Sequence, residues 1–162
     1  MKLLTALAIA LVLTPMPAAA DSQFALPNPN LTPGLAATRD ASQVCSKSYA
    51  RSHRPARDEA WRALVRTVRR QYAIRYGTYR EYVIDHLVPL ELGGAGEDAR
   101  NVWPEPIDDS HLKDRVEDAL HRAVCEGHLP LAQAQNEIAR DWRHTSVGDP
   151  GRLPHSYFED RQ

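Results

Sequence analysis

Between two stretches whose apolar residues recur at helical spacing lies the one part of this chain with the makings of β-structure, residues 82–106, YVIDHLVPLELGGAGEDARNVWPEP. Val83 and Ile84 lead into an Asp-His pair, Pro89 interrupts an apolar step, Gly93-Gly94 supplies a turn, and Asn101 opens a second apolar run. Short β-branched runs separated by Pro and Gly punctuation read as a hairpin. We expect strands over 82–84 and 101–103.

The flanks are helical. In DEAWRALVRTVRRQYAI the apolar positions Trp61, Leu64, Val65, Val68 and Tyr72 form one stripe, and Asp58 and Glu59 stand at its start, where acids favour the helix dipole. A second helix is expected over 111–126, capped by Asp109 or Ser110, carrying Leu112, Val116, Leu120 and Val124 and stopped by Gly127. A third starts near Pro130 and runs towards Trp142. The order helix, hairpin, helix, helix is α+β: a short β-hairpin plus helix packed among additional α-helices. Trp61, Trp103 and Trp142 read as core anchors, and the histidines outside the hairpin as surface or loop residues.

Residues 1–20 bound the compartment. Lys2, the apolar run LLTALAIALVL and the small residues Ala18-Ala19-Ala20 have the layout of a secretory signal peptide, so the chain is expected to be exported, to the periplasm or beyond. No later segment is apolar enough to span a bilayer, which excludes an integral membrane class for the remainder. The two cysteines, Cys45 and Cys125, agree with an oxidising compartment. Their separation excludes a Cys-x-x-Cys redox or zinc knuckle, and a structural disulfide is the favoured reading. Residues 21–38, with Pro27, Pro29 and Pro33, read as a flexible linker; 39–143 as one compact domain; and 144–162 as a C-terminal tail.

Net charge is close to zero, yet its distribution is uneven. Residues 39–80 hold eleven bases against three acids, and residues 81–141 hold fourteen acids against five bases. A basic half of this kind can meet a phosphate backbone, with Arg62, Arg66, Arg69 and Arg70, off the apolar stripe, as nucleic-acid-binding candidates. The competing reading is that the two halves neutralise each other within the fold.

Hydrolysing a phosphodiester needs a base to deprotonate water and a cation to neutralise the charge that grows on phosphate. Asp85 can hold a hard divalent ion, and a neutral imidazole at His86 can take a proton near pH 7. Adjacent strand residues point to opposite faces, so both serve one site only if the chain bends there.

Asp85-His86-Leu87-Val88-Pro89-Leu90, with Gly93-Gly94 and Asn101-Val102, resembles the HNH endonuclease motif, the ββα-metal or His-Me finger. The likeness is specific from 83 to 113. A wider one, through CSKSYARSHRP, NVWPEP and KDRVEDALHRAVCEG, is to small exported bacterial proteins carrying that motif. The resemblance implies a metal-dependent DNA endonuclease. In it His86 is the general base, Asp85 a metal ligand, Asn101 the residue that orients the base and loop or binds metal, and His111 the helix ligand, with Asp108 or Asp109 as substitutes. It implies one divalent ion, Mg, Mn, Zn or Ni. The alternative is a non-catalytic nucleic-acid or envelope-binding module that keeps the finger as scaffold; no toxin-delivery feature supports an effector acting on a neighbouring cell.

Overall fold

The computed structural model describes residues 25–148. The signal-peptide reading of 1–20 and residues 149–162 of the tail lie outside them. The elements are α1 (Ala41–Val44), α2 (Tyr49–Ser52), α3 (Glu59–Gln71), β1 (Tyr82–His86), β2 (Val102–Pro106), α4 (Ile107–Cys125) and α5 (Leu131–Asp141), with 3₁₀ turns at Tyr76–Glu81 and Leu90–Leu92. The fold is α+β, with one two-stranded antiparallel sheet among helices.

Both strands run further than their β-branched residues suggest. The register pairs Ile84 with Pro104 and Tyr82 with Pro106, so the two prolines of β2 stand at alternate positions and turn their missing N–H groups to the same side. In a two-stranded sheet that side is an edge, where a lost donor breaks no ladder bond. Asp85 lies opposite Trp103 and His86 opposite Val102, which puts Val83, Asp85, Trp103 and Glu105 on one face and Ile84 and His86 on the other.

α4 begins at Ile107 immediately after β2, four residues before its expected start, and no side chain caps it. Asp109 therefore sits inside the first turn rather than at the cap, and its Oδ2 accepts the Ala25 N–H at 2.7 Å. Ser110 Oγ donates to the Ile107 carbonyl. The helix stops as expected at Gly127 (φ 77°), with Gly127 N–H bonded to the Val124 carbonyl and His128 N–H to that of Ala123.

The main core joins Val44 and Tyr49 to Val116 and Leu120 of α4 and to Ile138 and Trp142 at the end of α5. Val88 and Leu92, from the segment after β1, are buried in it as well. Each such side chain stabilises the fold by about 1.5–3 kcal/mol, which pins the segment that follows His86. Cys45 and Cys125 are disulfide-bonded, tying the end of α1 to the end of α4. Among the described residues no helix is long and apolar enough to cross a membrane.

The reading of 21–38 as a flexible linker is corrected over its described part. Thr32 is buried, Gly34 N–H donates to the Arg100 carbonyl at 3.0 Å, and Ala36 forms a β-bridge with Gly94. These are backbone bonds, made by residues with no apolar periodicity. Side chains therefore gave no warning of them.

Candidate active site

A cleft of about 350 Å³ opens beside the end of β1, lined among others by Asp85, His86, Asp114, Glu117 and Trp61. Asp85 and His86 point to opposite faces of the strand, and the bend anticipated above takes a local form. Asp85 Oδ1 curls forward to accept the His86 N–H at 2.7 Å and lies 3.9 Å from His86 Nδ1. His86 Nε2 is 2.8 Å from the Gly96 carbonyl. A carbonyl only accepts, so Nε2 carries the proton of the neutral ring and the free lone pair belongs to Nδ1, on the side of Asp85. Trp61, half-buried on α3, stacks near the imidazole with ring centroids 6.0 Å apart. It is a wall of the cleft rather than the core anchor expected, whereas Trp103 and Trp142 are buried.

Burial holds the His86 pKa below its usual 6.5, and the Lys113 charge adds to this against the opposing Gly96 bond and Asp85 carboxylate. The ring is neutral at pH 7. Burial would raise Asp85, but the Lys113 ammonium and the His86 N–H outweigh it, and the carboxyl lies below the usual range.

The helix contribution comes from residues the sequence reading passed over. Asp114 and Glu117, one turn apart on α4, bring a carboxylate oxygen each to within 4.8 Å of one another and of Asp85. His111 is exposed one turn earlier on α4 and stays outside this group. Asp108 and Asp109 lie earlier still, the latter engaged with Ala25. The detectable signal was the i, i+3 pair of acids following a lysine at a core position of the helix.

That lysine is completely buried. Lys113 Nζ donates to the His86 carbonyl at 2.8 Å and to Glu117, and lies 3.6 Å from Asp85 Oδ2 and 3.9 Å from Glu105 Oε2. Burial works against its charge, but Glu117 and Asp85 more than compensate and hold the ammonium above its usual pKa. Glu105 is buried with neither oxygen hydrogen-bonded, and burial pushes its carboxyl up to about 10, so it carries its proton at neutral pH. Burial likewise raises Glu117, to about 8, against the pull of Lys113.

Asp85, Asp114 and Glu117 could hold a divalent cation, and three oxygen donors suit Mg²⁺ or Mn²⁺ better than Zn²⁺ or Ni²⁺. Cys45, Cys125 and His121 also lie together, but the two sulfurs are bonded to each other and offer no thiolate.

Asn101 is fully buried and outside the cleft. Its Oδ1 accepts from Leu35 N–H at 3.1 Å and Val88 N–H at 2.9 Å, and its Nδ2 donates to the Val88 carbonyl at 2.9 Å and the Ala95 carbonyl at 3.0 Å. All four capacities of the amide are used, which makes it a clamp on the loop that presents Gly96 to His86. Gly94 completes the clamp, since a Cβ there would meet the Val88 carbonyl oxygen at 1.8 Å.

The four arginines do not line this cleft. Arg62 and Arg66 both bond Glu59 on their own helix, Arg70 bonds Thr67, and Arg69 lies over the Tyr79 ring. The cationic side chains on the cleft are Arg54 and Arg57, which the sequence reading did not single out. Comparison with protein-family models, with curated proteins and with solved structures finds no match for this chain.

Proposed function

We propose that this chain is an exported, metal-dependent endonuclease of HNH type, hydrolysing phosphodiester bonds in DNA with His86 as general base. The observation that carries the reading is the arrangement at His86. Nε2 is fixed on the Gly96 carbonyl, so the basic nitrogen is Nδ1, 3.9 Å from Asp85 Oδ1 at the cleft that Asp85, Asp114 and Glu117 line. Depression of its pKa keeps the ring ready to accept a proton at neutral pH. The antiparallel pair β1–β2 running straight into α4 supports the ββα finger implied by the sequence resemblance, and the disulfide supports export.

In this reading Asp85, Asp114 and Glu117 would hold one divalent cation, and such an ion would supply positive charge to offset that developing on the phosphate and leaving oxygen. His86 Nδ1 takes a proton from the attacking water as the new phosphorus–oxygen bond forms and the bond to the leaving oxygen breaks. Asn101 positions the loop that orients His86, and Arg54 and Arg57 at the cleft wall attract the phosphodiester. Incubation of purified protein with plasmid, with and without EDTA, tests the reading; intact plasmid at saturating Mg²⁺ and Mn²⁺ would refute it.

One observation favours a second reading, a nucleic-acid or envelope-binding module that keeps the finger as scaffold. Lys113 already sits among the carboxylates as an internal cation. Binding unaffected by chelator, with no cleavage, distinguishes it.

A further inference from the structure

α3 ends in a turn that glycine would make at lower energy. Ala73 has φ 51°, and the turn carries both bonds of a Schellman closure, Ala73 N–H to the Arg70 carbonyl at 3.1 Å and Ile74 N–H to that of Arg69 at 2.9 Å. α4 closes with the same pair of bonds at Gly127. The turn returns the chain beside the end of α3 and forms a cavity of about 440 Å³ lined by Arg66, Arg69, Arg70, Arg75 and Tyr79. Arg69 lies 3.8 Å over the Tyr79 ring. Tyr76 is 86% exposed and meets Tyr79 edge-on, with centroids 5.3 Å apart. Folding gains little from an aromatic ring left in water beside four guanidinium groups.

We propose that this surface holds an unpaired nucleic-acid strand, with a base stacked on Tyr76 and flanking phosphates in the arginine pocket. The proposal rests on the nuclease reading for what the strand is held for, while its binding chemistry is separate. Guanidinium groups match phosphate oxygens in pairs, and an aromatic face accepts any base. A duplex offers only phosphates to such a surface, because its base faces are covered. An anionic membrane would need apolar side chains to insert, and among the described residues the other exposed large apolar ones, Leu26 and Ile107, lie in other segments. Along α3, Trp61 walls the cleft and Arg70 lines this pocket. Their separation of about 13 Å at ~1.5 Å per residue is on the order of four stacked nucleotides. A strand held at Tyr76 can therefore run towards His86.

Fluorescence anisotropy in EDTA, with the full chain carrying His86→Ala to prevent cleavage, tests this with a labelled thymidine dodecamer and a duplex of equal length. The single strand should bind more tightly than the duplex, and Tyr76→Ala should weaken it about 5- to 150-fold, as loss of one stacked base does. Tyr76→Phe should retain binding, and Arg70→Ala/Arg75→Ala should weaken both oligonucleotides and flatten their salt dependence. Unchanged single-strand affinity in Tyr76→Ala overturns the proposal. Equal affinity for strand and duplex also overturns it. Loss of binding to phosphatidylglycerol vesicles in Tyr76→Ala, with oligonucleotide binding unaltered, would assign the surface to a membrane instead. Plasmid cleavage by the unsubstituted protein is scored separately. Stacking without cleavage removes the nuclease reading alone, and cleavage without a Tyr76 effect removes this proposal alone.

Discussion

Replacing Asn101 by Ala tests whether the site depends on a clamp rather than on a ligand. The side chain is fully buried and makes four hydrogen bonds, to Leu35, twice to Val88, and to Ala95. A buried hydrogen bond contributes about 0.5–1.5 kcal/mol net, so four sum to about 4 kcal/mol before relaxation. Water entering the vacated space can satisfy some of the released backbone groups, which brings the expected loss to about 2–4 kcal/mol. With a domain stability of about 5–15 kcal/mol the variant should still fold at 25 °C. Urea denaturation gives the loss as a lower midpoint at unchanged slope. Because Ala95 adjoins Gly96, the loosened loop should also release His86 Nε2 and lower kcat in plasmid cleavage. Asn101→Asp should be no rescue, since it turns two donors into a carboxylate facing the carbonyls of Val88 and Ala95. A variant within about 0.5 kcal/mol of the parent, or one that loses metal affinity while keeping its stability, would refute the clamp.

Other consequences can be checked directly. His86→Ala should lower cleavage by ~10²–10⁴-fold while leaving the circular dichroism spectrum unchanged, because it removes a base and little core. Activity requires the neutral ring, so the rate should rise with pH as His86 loses its proton; burial sets that midpoint below 6.5, a bound cation moves it the same way, and a pH–rate profile should be level by pH 7. Calorimetric titration with Mn²⁺ should show weakened binding in Asp85→Asn and Asp114→Asn and unaltered binding in His111→Ala; the reverse would return the helix ligand to His111. Ala73→Gly should stabilise the protein by up to about 1 kcal/mol in urea, because the left-handed backbone disfavours a Cβ while glycine loses more freedom on folding. Reducing the Cys45–Cys125 bridge should lower stability by roughly 4–5 kcal/mol, read from denaturation with and without reductant.

Periodicity made α3 and α5 legible, and Gly127 marked the end of α4 through its left-handed turn. Asp85, His86 and Asn101 were legible by their order around a glycine pair. The strands were under-read because Pro104 and Pro106 look like breakers, and only the register reveals that their missing donors face an edge. Nothing in the order of residues singled out Lys113; it is buried because Asp85, Glu105 and Glu117 meet it from the hairpin and its own helix. Asp114 and Glu117 were hidden among many acids, since a linear count of charge does not tell which ones face β1. Trp61 sat on the apolar stripe of α3, and the stripe does not distinguish a core from the wall of a cleft.

The segment before α1 has a consequence for how the fold is reached. Ala25 bonds Asp109 through its N–H and the Trp142 indole through its carbonyl, Leu35 bonds Asn101, and the Thr38 carbonyl accepts from Gln135. These four bonds thus join the earliest described residues to partners 66 to 117 positions further along the chain. Closing such loops carries an entropic penalty before any contact offsets it, and chains dominated by distant contacts fold slowly. Gly34 and Ala36 can pair with Arg100 and Gly94 as soon as the hairpin is present, whereas Ala25 and the Thr38 carbonyl find these partners only once α5 is in place. A chain interrupted before α5 would therefore lose the anchors at both ends of this segment, Trp142 for Ala25 and Gln135 for Thr38.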